Sequence, residues 1–245
     1  MSPKQRGLLS ASRALLPYNS YVAHIHDPVS HTLSAKTLGR YLTLSPDIDE
    51  PAPLLVGFHG YGENADHHLE HLRKIPGVER WHLASVQALH RFYERRSGKV
   101  VGSWMTSQDR HQAIQDNLAY VHEIVTNLRA STHPDTPLVY AGFSQGVAMA
   151  YRAALGSGHP CAGLLILAGD IPPELQDEPV THFPPVLLGY GRNDPWYTTN
   201  KQEADLRFLR SQEIAFETIV FDGAHQWHDS FYKAAGRFLE RIRQP

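Results

Sequence analysis

Short apolar runs alternate with helical stretches from about residue 54 to the C-terminus, and this alternation restricts the fold more than any other feature. Leu54–Phe58, 138–141, 164–168 and 186–190 are unbroken apolar segments of strand length. Segments of this kind belong to strands covered on both faces. Residues 82–86 and Phe216–Phe221 read as two further strands, the latter with β-branched Thr218, Ile219 and Val220. Helices are expected over about 64–74, over 109–130, and from the residue after Ser144 to near Gly156. The second carries Ile114, Leu118, Val121, Val125 and Leu128 at helical spacing, with Pro134 beyond its end. Thr199 and Gln202 are spaced as a capping box for a further helix bearing Leu206 and Leu209. A closing helix is expected to show Trp227, Phe231, Ala234, Phe238 and Ile242 on one face. Strands alternating with helices imply an α/β fold, a mostly parallel central sheet with helices on both sides. Ahead of it, 22–25 and 41–44 read as short edge strands. Residues 1–18 read as an N-terminal arm and 19–245 as one domain. The stretch 87–108 is too short for a cap domain and is expected to be a pocket-lining loop.

Composition narrows the function classes. At 245 residues the chain can bury a large core, and 42% hydrophobic with 20% charged residues is ordinary for a globular protein. A net charge of -2 gives no electrostatic reason to expect nucleic acid or an anionic membrane as partner. No secretory signal is visible, and no run approaches the ~18 apolar residues of a membrane span, so stable membrane insertion is not expected. One cysteine, Cys161, excludes an internal disulfide and fits a reducing compartment. It reads as a buried small apolar residue, and the expected location is cytoplasmic. His67 and His71 share a helix face, but Glu70 does not complete H-E-x-x-H and no third ligand follows. With no phosphate loop and no dinucleotide fingerprint either, no metal and no cofactor are expected.

In an open α/β sheet, ligands sit at the carboxyl ends of the strands, and four loops there carry suggestive residues. Gly142-Phe143-Ser144-Gln145-Gly146 lies between a strand and a small-residue helix, the context that gives G-x-S-x-G its meaning as a turn presenting a strained, exposed serine. A Cβ at either glycine would collide with the neighbouring strand or helix. The loop His59-Gly60-Tyr61-Gly62-Glu63-Asn64 can aim a backbone N–H at a developing oxyanion, and the N–H groups of Tyr61 and Gln145 are the expected donors. Asp194, before Pro195 and Trp196, is the expected carboxylate that orients a base, with Asp170 as its rival. His225, in the loop after the last strand, is the expected base, with His228 as its rival. The order Ser144, Asp194, His225 is that of an α/β-hydrolase triad.

These residues resemble the α/β-hydrolase superfamily, and more narrowly its phospholipase/carboxylesterase group, which includes acyl-protein thioesterases. The matching pieces are Phe58-His59-Gly60-Tyr61-Gly62, Ser103-Trp104, Gly142 to Gly146, Gly191 to Pro195 and Gly223 to His225. The resemblance implies a cofactor-free serine hydrolase with no large cap domain, Ser144 as nucleophile, His225 as base and Asp194 as orienter. It also implies that Trp104 lines the acyl or alcohol pocket, with His59 and Trp196 as further pocket candidates. The sequence departs from the group in continuing as Gly62-Glu63-Asn64 rather than Gly-Asp, and in lacking a proline-rich segment at 86–90. The expected partner is a small ester or thioester. Esterase activity is the leading expectation; thioesterase or lysophospholipase activity, a peptidase and a non-catalytic binding protein of the same fold are the alternatives. Chain length says nothing of oligomeric state.

Overall fold

The computed structural model describes residues 28–48, 51–130, 132–133, 135–176 and 182–244. The chain divides into two units, 1–36 and 37–245. Of the first, 28–36 are exposed and without regular structure. The expected arm over 1–18 and the edge strand at 22–25 lie outside the described residues. The larger unit starts at Thr37.

In chain order its elements are β1 (Arg40–Leu44), β2 (Leu54–Phe58), α1 (Ala65–Leu72), β3 (His82–Gln87), β4 (His90–Tyr93), β5 (Val100–Ser103), α2 (Arg110–Arg129), β6 (Leu138–Phe143), α3 (Gln145–Gly156), β7 (Gly163–Leu167), β8 (Val186–Gly191), α4 (Thr199–Ser211), β9 (Phe216–Phe221) and α5 (Asp229–Arg243). Seven strands form one sheet in the order β1-β3-β2-β6-β7-β8-β9. β1 runs antiparallel to β3, and every other pair in the sheet is parallel.

Alternation along the buried strands sorts side chains between two cores. Leu54, Val56, Phe58, Tyr140, Leu164, Ile166 and Leu188 pack against residues of α2, α3 and α4 on one face. Leu55, Val139, Ala141, Leu165, Leu167 and Leu187 pack against residues of α1 and α5 on the other. A sheet covered in this way needs apolar residues on both sides, which is why its central strands read as unbroken apolar runs. From β2 the chain fills the sheet toward β3, and from β6 it fills it toward β7, β8 and β9. The order therefore reverses between β2 and β6, the place where open α/β sheets form a ligand crevice.

Three local expectations are corrected. Residues 87–108 are not one loop: β4 and β5 pair antiparallel as a separate hairpin, and Gly102 bridges back to Glu63. All four residues of β4 are exposed, so no apolar pattern marked it. The capping box does not form. Thr198 is the N-cap of α4 with no side-chain cap bond, and Gln202 Nε2 donates instead to the Tyr197 carbonyl at 2.6 Å. Trp227 precedes α5, whose N-cap is His228.

Candidate active site

Ser144 sits between β6 and α3 with φ 53, a left-handed conformation that costs a non-glycine residue energy. What holds it there is close packing on both sides. A Cβ on Gly142 would lie 2.5 Å from the Gly146 carbonyl oxygen, and one on Gly146 would lie 2.0 Å from that of Phe58. Neither contact is possible, so glycine is required at both places. The Gln145 side chain ties the turn to the end of β5. Its Oε1 accepts from the Trp104 N–H at 2.9 Å and its Nε2 donates to the Met105 carbonyl at 3.1 Å.

Asp194 and His225 meet. The His225 ring nitrogen Nδ1 lies 2.9 Å from Asp194 Oδ2 and 3.1 Å from Oδ1. Asp194 Oδ1 also accepts from the N–H groups of Trp196 at 2.8 Å and Tyr197 at 2.9 Å. The carboxylate is thus set by the turn after β8, and its side chain is fully buried. Nδ1–H of His225 donating to Asp194 leaves Nε2 with a free lone pair. Ser144 and His225 together line a cavity of about 620 Å³, whose walls also include Tyr61, Met105, Arg110, Arg152, Trp196 and Tyr197. Ser144 and His225 also line a second cavity of about 380 Å³, walled by Glu63, His67, His71 and Trp227. The rivals are elsewhere engaged. Asp170 pairs with Lys201 at 3.4 Å, and His228 stacks on Phe221 and accepts from the Ser230 N–H.

The loop after β2 is braced from within. Glu63 Oε2 accepts from the Gly60 N–H at 2.8 Å. Burial pushes the Glu63 carboxyl up, while the Gly60 bond pulls the other way. The N–H groups of Tyr61 and Gln145, both at the cavity, take no acceptor among the described residues.

Two expected pocket residues are placed elsewhere. His59 is fully buried. Its Nδ1 donates to the Gly60 carbonyl at 2.7 Å, and its Nε2 accepts from the Ala88 N–H at 3.1 Å and from Gln87 Nε2 at 3.2 Å. Burial pushes this ring down to about 4, so it stays neutral and braces the loop rather than facing a ligand. Trp104 is also fully buried, edge-on to Phe58, and donates Nε1–H to the His59 carbonyl at 2.8 Å. Trp196 does reach the cavity and is 72% exposed at its rim. His67 and His71 contact each other edge to face, but His71 stacks on Trp227 and pairs with the Tyr232 hydroxyl at 2.5 Å. Among the described residues no group of three or more His, Cys, Asp or Glu could hold a metal ion.

A family model described as phospholipase/carboxylesterase matches residues 41–242. The chain belongs to the phospholipase/carboxylesterase family. Membership makes it an ester-hydrolysing enzyme of the phospholipase/carboxylesterase type. Solved structures with similar folds agree with the sheet described above. Esterase PE8 is 23% identical, covers 84% of this chain and 100% of its own, and superposes with a TM-score of 0.67. The Bacillus cereus carboxylesterase is 14% identical over 84% of this chain and 95% of its own, with a TM-score of 0.67. Acyl-protein thioesterase 2 of Zea mays is 19% identical over 84% and 99%, with a TM-score of 0.63. No curated protein sequence matches the chain.

In this phospholipase/carboxylesterase member the cavity wall holds residues that sequence reasoning passed over, chiefly Arg110, Arg152, Met105 and Tyr197. One signal was available. Arg152 falls on the same face of α3 as Gln145 and Ala148, at offsets of seven and four from them. A lone cation on the cavity side of a small-residue helix is out of place unless it has a use there.

Proposed function

We propose that this protein is a serine esterase that cleaves small to medium carboxylic esters through an acyl-enzyme. The carrying observation is the bond at 2.9 Å between buried Asp194 and half-buried His225, which lines the cavity that also holds Ser144 at φ 53. In this reading Ser144 Oγ attacks the acyl carbon while its proton passes to His225 Nε2, and Asp194 stabilises the imidazolium. The N–H groups of Tyr61 and Gln145 receive the oxyanion, each bond being worth about 3 kcal/mol in the transition state. His225 then returns the proton to the departing alcohol. Water, deprotonated by the same ring, releases the acid and restores Ser144. Ser144 and His225 line both cavities, which offers separate room for the acyl group and the leaving group. Tyr61 and Trp196 belong to the rim of the larger one.

Hydrolysis of p-nitrophenyl acetate and butyrate tests the reading. Wild-type protein turns them over, and Ser144→Ala loses several orders of magnitude in kcat while keeping its fold. Equal rates in the two proteins would overturn the assignment. Labelling by a fluorophosphonate that disappears in Ser144→Ala separates an active hydrolase from a binding protein of the same fold. A thioesterase is the second reading, favoured by the likeness to the maize acyl-protein thioesterase; the same groups would serve it, and matched esters and thioesters of graded chain length distinguish the two. We read the setting as cytoplasmic, from the single cysteine; no helix among the described residues is long and apolar enough to cross a membrane.

A further inference from the structure

The wall of the larger cavity that Arg110 and Arg152 form has more positive charge than its own anions neutralise. Arg152, on the cavity face of α3, is 3% exposed. Its Nε donates to Glu174 Oε1 at 2.7 Å and its Nη2 to the same oxygen at 2.5 Å. Arg110, the first residue of α2, donates Nη2 to Glu174 Oε2 at 3.3 Å. One carboxylate therefore serves two guanidinium groups. The remaining donors fare poorly. Arg110 Nη1 points at the Met105 sulfur at 2.9 Å and Arg152 Nη1 at the same atom at 3.7 Å, and a thioether is a weak acceptor. The other charged pair on this wall, Lys201 and Asp170, is balanced. Burial and the nearby Arg110 both pull Arg152 below the usual arginine range, against the opposing pull of Glu174. An incoming anion would relieve that repulsion.

Taken with the esterase reading, on which it rests, this geometry leads us to infer that the Arg110–Arg152 end of the cavity is a subsite for a carboxylate carried by the ester. Arginine suits the task because its planar fork matches a carboxylate with two parallel bonds. Distance sets the kind of substrate. Eight residues of helix separate Ser144 from Arg152, an axial span of about 12 Å, and helical side chains lean back toward the N-terminus. The charge thus lies several atoms from the scissile carbonyl, as in a half-ester of a medium-chain dicarboxylic acid or an ester of a carboxylated alcohol. Ala148, between Gln145 and Arg152 on the same helix face, leaves the path open.

Two matched pairs of esters test this. On the acyl side, 4-nitrophenyl hydrogen adipate is compared with 4-nitrophenyl hexanoate; on the alcohol side, 4-butyryloxybenzoate with its methyl ester. Wild-type protein should favour the charged member of at least one pair by tenfold or more in kcat/KM. Arg110→Gln should lower that charged-to-neutral ratio at least tenfold, mainly through KM, and Arg110→Lys should restore part of it. A purely structural role for Arg110 would lower both members together and leave the ratio unchanged, which would overturn the subsite. Titration calorimetry of adipate into Ser144→Ala protein reads the subsite without turnover. Saturable binding that is lost when Arg110→Gln is added supports the subsite even if no ester is cleaved, in which case the esterase reading alone falls. No binding, with charged and neutral esters cleaved alike, overturns the subsite and leaves the esterase reading in place.

Discussion

Single atoms set the limits of this site. A methyl group at position 146 would lie 2.0 Å from the Phe58 carbonyl oxygen, and backbone on both sides cannot move without parting α3 from β2. Gly146→Ala should therefore cost about 3 kcal/mol, read as a lower urea midpoint, with esterase activity falling alongside. Asp194→Asn should act differently. Its amide oxygen can still accept from the Trp196 and Tyr197 N–H groups, which turns the NH₂ toward His225 Nδ1. The ring must then carry its proton on Nε2, where it cannot accept one from Ser144. The expected loss in kcat on p-nitrophenyl butyrate is on the order of 10⁴ with an unchanged circular dichroism spectrum; a loss below tenfold would remove Asp194 from the proposed mechanism. At this scale the sequence was most readable in the strained turn, where packing requires the two glycines that flank Ser144. It was least readable for aromatic and imidazole rings. His59 stands near Tyr61 in the sequence and Trp104 was expected in the pocket by family resemblance, but neither proximity nor resemblance reveals which side of the chain a ring faces, and both are buried.

Elements were legible in proportion to their burial. β2, β6, β7 and β8 are buried along their whole length, and each announced itself as an apolar run. The β4–β5 hairpin did not, because its strands are joined by backbone bonds and β4 buries no side chain. The start of α4 misled through Gln202, which found a better partner in the Tyr197 carbonyl than at the helix end. α1 and its neighbouring loop add an acid sensitivity. His59 and His71 are each pushed down to about 4 by burial, and burial drives His68 well below its ordinary value. The unfolded chain takes up these protons first as pH falls, so the stability they confer is complete above about 6.5 and is lost progressively toward about 4. Asp205 works against them. Burial pushes it up to about 7, so its folded form keeps a proton that the unfolded chain releases above about 4, and its contribution declines as pH rises through that window. Glu63, also raised by burial, acts with Asp205, but His82 and His159 are lowered as well, and five imidazoles outweigh two carboxyls, so the urea midpoint should rise between pH 4 and pH 6.5. Asp205→Asn, which still accepts from the Ile171 N–H and the Tyr197 hydroxyl, should steepen that rise; a flat profile in both proteins would contradict the account.

Across the whole molecule, seven of the described strands form one sheet. Cys161 precedes β7, its thiol donates to the Gly163 carbonyl at 3.2 Å, and burial pushes it up to about 12. A thiol so rarely ionised is a poor nucleophile. Its reaction with a disulfide reagent should be slow in native protein and should accelerate in step with urea unfolding; fast native labelling would place an opening at the edge of β7 that the packing does not suggest. The reversal between β2 and β6 was not legible in the sequence, because spacing along the chain gives the elements but not their lateral order. Its consequence is a division of labour. The loops bearing Tyr61 and Ser144 leave adjacent parallel strands, whose separation is held near ~4.8 Å by the ladder between them. The walls bearing Arg110 and Glu174 come from segments outside that ladder. A lineage could therefore exchange those walls to accept new acids or alcohols while the proposed bond-breaking apparatus stayed as it was.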